Sequence, residues 1–237
     1  MEGQAAVSVA QVLETTDEAV AGIADGSTVL VGGFGLAGMP FDLIDALIRQ
    51  GAKDLVIVSN NAGNGDVGLA ALLKAGRVRK VICSFPRQSD SWVFDGLYRE
   101  GKIELDVVPQ GNLAERMRAA GAGIGAFFCP TAAGTPLAAG RETREIEGRT
   151  YVLEYPIKGD YAFIAAYRAD TIGNLVYRKT ARNFGPVMAT AATTTIVQVS
   201  EIVPVGALDP EAVVTPSIYV DRIVPVQSRQ YTVQGAR

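Results

Sequence analysis

The stretch TVLVGGFGLAGMP, residues 28–40, points to the fold class of this 237-residue chain. Its first four residues are apolar or β-branched and predict a short buried strand. A glycine-rich turn follows, and Pro40 stands where a helix would begin. The next segment, up to Gln50, carries apolar residues at helical spacing and is closed by Gly51. A strand, a glycine turn and an amphipathic helix in this order are typical of an α/β unit.

The same order recurs downstream of this stretch. Further strands are predicted at 55–59, 80–84 and 103–108, each followed by an amphipathic segment that a glycine closes. Because alternating strands and helices build parallel sheets with helices on their faces, we expect an open, mostly parallel sheet in a three-layer α/β/α fold.

The second half of the chain continues in a less regular way. Strands are predicted at 151–154, 161–167, 175–177 and 195–199, a helix at 186–192, and a charged hairpin or lid at 141–149. No shift in composition marks a linker, so residues 1–237 are expected to form a single domain. The polar tail, 227–237, is expected to be flexible unless it docks on something.

Composition and charge exclude several classes of function. Lys and Arg number 22 against 25 Asp and Glu, for a net charge of −3, which gives no bulk attraction to nucleic acid or to an anionic membrane. Histidine is absent, which rules out Ser-His-Asp and Cys-His nucleophiles and HExxH zinc sites, and no metal site is predicted. Cys83 and Cys129 form no disulfide or metal pattern, and the first residues carry no basic signal region, so we expect a cytoplasmic protein.

The glycine turn matches a dinucleotide fingerprint only in part. Gly33, Gly35 and Gly38 satisfy the GxGxxG spacing between a strand and a helix. However, the following strand ends in Ser59 and an amide where an acidic ribose ligand is required, and Pro40 has no N–H to offer a pyrophosphate. Two alternatives stay open: a turn that needs glycine for its conformation alone, or a turn that lets a ligand approach the backbone.

Amide and guanidinium side chains follow the predicted strands. Asn60 and Asn61 follow the second strand, Arg87 the third and Gln110 the fourth. Because the carboxyl ends of parallel strands meet at one edge of a sheet, these residues predict a substrate-binding rim there. The nearest carboxylates, Asp66 and Asp90, occupy positions typical of helix starts. The rim therefore lacks a nucleophile or general base, and the residues alone indicate a binding half-site.

Several motifs together resemble the first (α) subunit of the class I coenzyme A transferases. The matching residues are Asp25-Gly26, Val29-Leu30-Val31-Gly32-Gly33-Phe34, Gly38, Pro40, Ser59-Asn60-Asn61-Ala62-Gly63, Pro109-Gln110-Gly111, Leu113-Ala114-Glu115-Arg116, Gly121-Ala122-Gly123 and Ala181-Arg182-Asn183-Phe184. The resemblance spans about Asp17 to Val226. Within it, Gly63-Asn64-Gly65 and the segment 83–91 are most similar to members that act on 3-oxoadipate.

The resemblance implies an enzyme that moves CoA from succinyl-CoA to a 3-oxo acid. Coenzyme A and succinyl-CoA would be substrates, with no permanently bound cofactor. The reaction would pass through an acyl-glutamyl anhydride and a glutamyl-CoA thioester, on a glutamate carried by a second (β) subunit in an α2β2 assembly. This agrees with the missing nucleophile.

The resemblance also implies roles for individual residues. Polar groups around the reacting carbonyl would be Asn60, Asn61 and Gln110. Contacts to CoA would come from Gly32, Gly33, Phe34, Gly35, Leu36, Ala37 and Gly38. We add the hypothesis that Arg87 binds the second carboxylate of 3-oxoadipate, which acetoacetate lacks.

Three other functions remain open from the sequence. The first is one chain of an acetoacetate-type succinyl-CoA:3-oxoacid CoA-transferase. The second is a non-enzymatic sensor of acyl-CoA or sugar phosphate on the same fold. The third, a Rossmann-like oxidoreductase, is opposed by Asn60 and Pro40. A partner chain that co-purifies and carries the glutamate would separate the transferases from the sensor.

Overall fold

The structure, a computed structural model, describes residues 10–227. The elements of its first half are β1 (Gln11–Val12), α1 (Thr16–Val20), β2 (Thr28–Val31), α2 (Phe41–Gln50), β3 (Leu55–Asn61), α3 (Leu69–Lys74), β4 (Val78–Phe85), α4 (Trp92–Arg99), β5 (Glu104–Val107) and α5 (Gln110–Gly121). Those of its second half are β6 (Phe127–Cys129), β7 (Thr143–Ile146), β8 (Arg149–Glu154), β9 (Gly159–Asp170), β10 (Leu175–Val176), α6 (Gly185–Ala191), β11 (Ala192–Val203) and β12 (Arg222–Pro225). The predicted tail, 227–237, lies outside the described residues apart from its first.

The main sheet has nine strands and is almost entirely parallel. Its order is β1-β12-β11-β9-β2-β3-β4-β5, and β10 pairs antiparallel with β9 at the side of this path. All the other pairings in this sheet are parallel. The predicted mostly parallel α/β sheet is confirmed.

The helices cover the two faces of this sheet and create two cores. On one face α1, α2, α3 and α4 pack in sequence against each other, while α5 and α6 pack together on the opposite face. Each face carries its own cluster of buried apolar side chains. Right-handed crossovers explain the division: α2 to α4 connect strands added in one direction, whereas the later strands are added on the other side of β2. The strand order therefore reverses between β2 and β9.

A smaller antiparallel sheet projects from this body. Its order is β6-β8-β7, and β7 and β8 form the hairpin predicted at 141–149. The side chains of the hairpin are exposed through Thr150, whereas Val152 and Glu154 are buried. The charged composition of the hairpin thus reflects its exposure to solvent.

Some predicted boundaries were wrong, each for a local reason. The cap of α1 is Thr15, not Thr16 or Asp17, because Thr15 and Glu18 form a reciprocal capping box. The second predicted strand continues past Ser59, because Asn61 still pairs with Phe85 on β4. No helix within residues 10–227 combines the length and apolarity needed to span a membrane.

Candidate functional site

The glycine-rich loop after β2 is a tight turn that a distant side chain holds in place. Phe34 N donates to the carbonyl of Ala37 over 3.0 Å, and Ala37 N donates back over 3.2 Å. Asn183 then reaches in from the opposite half of the chain. Its Oδ1 accepts from Gly33 N at 3.1 Å and its Nδ2 donates to the carbonyl of Ala37 at 2.8 Å. At Gly38, φ is +73° and a Cβ would collide with the Ala181 carbonyl, so only glycine fits.

The start of α2 has no free amides for a pyrophosphate. Pro40 is its N-cap and supplies no side-chain cap. The Oε1 atom of Gln198, on β11, accepts instead from Asp42 N at 3.0 Å and from Leu43 N at 3.2 Å. Because a dinucleotide site needs these helix-opening donors, the geometry opposes the oxidoreductase alternative.

A cleft of about 390 Å³ lies at the carboxyl edge of β3, β4 and β5. Its lining residues are Phe34, Asn60, Ser84, Phe85, Gln88, Ser89 and Gln110. The structure thus brings together two of the predicted amides, Asn60 and Gln110, and one residue of the glycine loop, Phe34. The exposed rings of Phe34 and Phe85 leave apolar surface beside these polar groups. The predicted rim is therefore a formed cleft.

The amide of Asn60 is oriented by its neighbour on β4. Ser84 Oγ lies 2.9 Å from Asn60 Oδ1 and 3.1 Å from the Asn60 carbonyl oxygen. The side-chain oxygen of Asn60 is therefore engaged, whereas its Nδ2 has no hydrogen-bond partner among residues 10–227. An N–H donor whose orientation is held in this way can stabilise charge on a ligand oxygen.

Asn61 lies on the other face of the sheet and does not line this cleft. Its Oδ1 accepts from Gly63 N at 2.8 Å, and the residue borders a small apolar space next to Ile57 and Leu69. Because successive side chains in a strand point to opposite faces, Asn60 and Asn61 cannot share one cleft while β3 includes both. The sequence-based grouping of the two amides is corrected in this respect.

Arg87 does not line the cleft either. Its Nε lies 2.7 Å from Asp95 Oδ1, on α4, and its side chain is exposed. The next two residues, Gln88 and Ser89, face the cleft instead. The sequence analysis missed Ser84, Gln88 and Ser89. The parallel register of β3 and β4, which pairs Ser59 with Cys83, is the signal that places Ser84 beside Asn60.

The cleft has donors but no group that can attack a carbonyl. No acidic residue is among those that line it. Burial raises the pKa of the nearby Cys83 thiol to about 12, so this cysteine stays protonated and inert. Within residues 10–227, no cluster of His, Cys, Asp and Glu could hold a metal ion. The arrangement can bind and polarise a carbonyl or carboxylate, and the nucleophile must come from elsewhere.

The comparison with known proteins identifies the family. Residues 13–225 match the family described as coenzyme A transferase. The chain belongs to this family. A coenzyme A transferase that requires a second protomer for its nucleophile would have the donor-lined, acid-free cleft found here.

Individual coenzyme A transferases are similar over most of the chain. The α subunit of the 3-oxoadipate CoA-transferase of Pseudomonas putida is 67% identical over 213 residues, covering 90% of this chain and 92% of its own. The α subunit of the succinyl-CoA:3-ketoacid coenzyme A transferase of Helicobacter pylori J99 is 48% identical, covering 90% of this chain and 91% of its own. Among solved structures, the acyl-CoA transferase of Escherichia coli O157:H7 has a TM-score of 0.82 at 26% identity, covering 97% of this chain and 50% of its own.

The residues expected to contact CoA divide into two groups. Phe34 lines the cleft described above, and Leu36, Ala37 and Gly38 line a larger cleft on the other side of the loop. The remaining three, Gly32, Gly33 and Gly35, line neither cleft. The N–H groups of Gly32 and Gly33 bind Phe163 and Asn183, which fixes the start of the loop.

Proposed function

We propose that this chain is the α subunit of a two-chain enzyme that transfers CoA from succinyl-CoA to 3-oxoadipate. The observation that carries the proposal is the 67% identity to a protein named for 3-oxoadipate, against 48% to one named for 3-ketoacids in general. The acid-free cleft supports the two-chain form. The names of both relatives designate one subunit of an enzyme, which implies a separate second chain.

In this proposal the β subunit supplies the attacking glutamate and this chain supplies the donors. The glutamate attacks the thioester carbonyl carbon, and negative charge moves to the carbonyl oxygen. Asn60 Nδ2 and the Gln110 amide, both at the cleft, would donate hydrogen bonds to that oxygen. Neutral donors suit this task, because they stabilise a transient oxyanion without holding the carboxylate product as a full cation would.

Both halves of the transfer use the same donors. The CoA thiolate leaves, a succinyl-glutamyl anhydride remains, and the thiolate then attacks the glutamyl carbonyl to release succinate. The carboxylate of 3-oxoadipate attacks the resulting glutamyl-CoA thioester, and CoA finally moves from the second anhydride to the 3-oxoadipyl carbonyl. Each step forms a tetrahedral oxyanion that needs the same N–H donors.

The assembly and the location are parts of this proposal. The E. coli acyl-CoA transferase chain is covered only to 50%, which leaves room in that chain for a second half of similar size. We infer that the β subunit takes the place of this second half, in an α2β2 complex. Cys83 and Cys129 are free thiols, which fits a reducing cytoplasm.

Co-expression with a candidate β subunit tests the proposal. The purified complex should transfer CoA from succinyl-CoA to 3-oxoadipate with a higher kcat/KM than to acetoacetate, and this chain alone should transfer none. A preference for acetoacetate would favour the 3-ketoacid alternative. Acyl-CoA binding by this chain alone, with no transfer by the complex, would favour the sensor.

Arg87 gives a prediction that compares the two acceptors. If its guanidinium leaves Asp95 and binds the distal carboxylate, Arg87→Ala should raise the KM for 3-oxoadipate about tenfold or more, and the KM for acetoacetate hardly at all. Asp95→Ala is the matched control, because it releases the guanidinium without removing it. Equal changes of KM for both acceptors in Arg87→Ala would show that Arg87 does not bind that carboxylate.

A further inference from the structure

The larger cleft beside the glycine loop lies where the order of the sheet reverses. It has a volume of about 640 Å³ and opens at the carboxyl ends of β9 and β11, behind residues 36–38 of the loop. The reversal falls between β2 and β9. Open α/β sheets bind ligands outside the carboxyl ends of the strands at such reversals. The cleft therefore has the position of a ligand site, and it is distinct from the one that contains Asn60.

Two cations line this cleft without ion pairs. Arg178 and Lys179 are exposed, and within residues 10–227 neither lies within 4 Å of a carboxylate. The guanidinium of Arg178 lies 5.7 Å from the ring centre of Tyr167, which also lines the cleft. The acidic residue in the lining, Asp42, accepts from Gln198 Nε2 at 3.2 Å. The cleft thus has an excess of positive charge in a chain of net charge −3.

The backbone holds these cations in a fixed relation to the glycine loop. Lys179 begins a short 3₁₀ helix, Lys179–Arg182, with its own φ at +53°, which is uncommon for a residue with a side chain. The end of this helix packs against the loop, because Ala181 lies against Gly38 and Asn183 bonds to Ala37. A strained conformation that persists this close to a cleft is a common mark of a binding element.

We propose that this cleft binds the phosphate-bearing nucleotide end of the CoA thioester, with Arg178 and Lys179 as its phosphate ligands. The inference rests on the proposed function. The glycine loop is the wall between the two clefts: Phe34 lines the smaller one, and Leu36 and Ala37 line the larger. A long ligand that crosses the loop reaches both clefts. Its thioester lies among the amide donors, and its phosphates lie against the cations.

A double variant of the complete two-chain complex tests the site. In Arg178→Gln/Lys179→Gln we expect the KM for succinyl-CoA to rise about 10- to 100-fold, because charge-assisted contacts to phosphate are lost. The KM for 3-oxoadipate and kcat should be unchanged. The matched control is Arg99→Gln/Lys158→Gln, which removes two exposed cations that line neither cleft and form no ion pair within residues 10–227. It should leave both KM values unchanged.

Adenosine 3′,5′-bisphosphate is a probe that separates this inference from the proposed function. It carries the nucleotide and phosphates of CoA without the thioester, so its binding, measured by calorimetry, needs no turnover. We expect the wild-type complex to bind it and the double variant to bind it at least tenfold more weakly. If the complex transfers no CoA but the probe result holds, the cleft assignment stands and the acceptor reaction is wrong.

One variant guards against loss of folding. Lys179→Gly removes the ammonium group at a position whose φ of +53° suits glycine, so the fold should be kept. An unchanged KM for succinyl-CoA and unchanged probe binding in this variant and in the folded double variant would overturn the inference.

Discussion

Asn60→Ala should lower kcat of the assembled transferase by about 10²–10³-fold, the usual effect of removing one oxyanion donor. The reason is geometric: Asn60 is buried at the cleft, its oxygen is engaged by Ser84, and its N–H group is left for a ligand. Because the lost bond forms mainly in the transition state, the KM for succinyl-CoA should change little. Steady-state rates against succinyl-CoA and 3-oxoadipate measure both values.

Asn61→Ala is the matched control, since the two amides are adjacent but lie on opposite faces of β3. Asn61 accepts from Gly63 N, so its loss should lower thermal stability and leave kcat of the folded enzyme unchanged. Ser84→Ala should reduce kcat by less than Asn60→Ala does, because it frees the Asn60 amide without removing it. A kcat for Asn60→Ala within a factor of two of wild type would contradict a donor role.

Glu154→Ala should cost about 3–5 kcal/mol of unfolding free energy, the second large effect we expect. Glu154 is fully buried at the end of β8. Its Oε1 accepts from Asn112 Nδ2 at 2.7 Å, and its Oε2 lies 2.5 Å from Arg141 and 3.7 Å from Arg116. Without the carboxylate, a buried amide and two partly buried guanidinium groups lose their partner. Urea unfolding followed by circular dichroism measures the loss.

Two further variants isolate the cause of that loss. Glu154→Gln keeps the shape and an acceptor oxygen but removes the charge, so it should fall between wild type and alanine. Glu201→Ala breaks the ion pair with Arg168, in which half of the Glu201 side chain is exposed, and should cost only about 0–1 kcal/mol. Similar losses for Glu154→Ala and Glu201→Ala would show that burial of the Glu154 network contributes nothing.

The alternation of strands and helices was readable from the sequence. Apolar runs, capping glycines and Pro40 are local signals, and parallel pairing follows from the crossovers between such units. The gathering of amides at one sheet edge was predictable for the same reason, and it holds for Asn60 and Gln110. Local boundaries were less certain, because the pairing of Asn61 with Phe85 lengthens β3 and depends on β4.

The sequence alone determined the class of fold, the edge at which the cleft forms and the lack of a nucleophile there, since these follow from residue types and from their order. Only the tertiary structure decided which neighbouring side chains face the cleft. Asn60 and Asn61 differ by one step of the pleat, and Arg87 is paired with an aspartate eight residues further along. It also brought Asn183 to the glycine loop and Gln198 to the start of α2, across about 150 residues of chain. Contacts of this length depend on the packing of whole elements, which no local pattern of residues encodes.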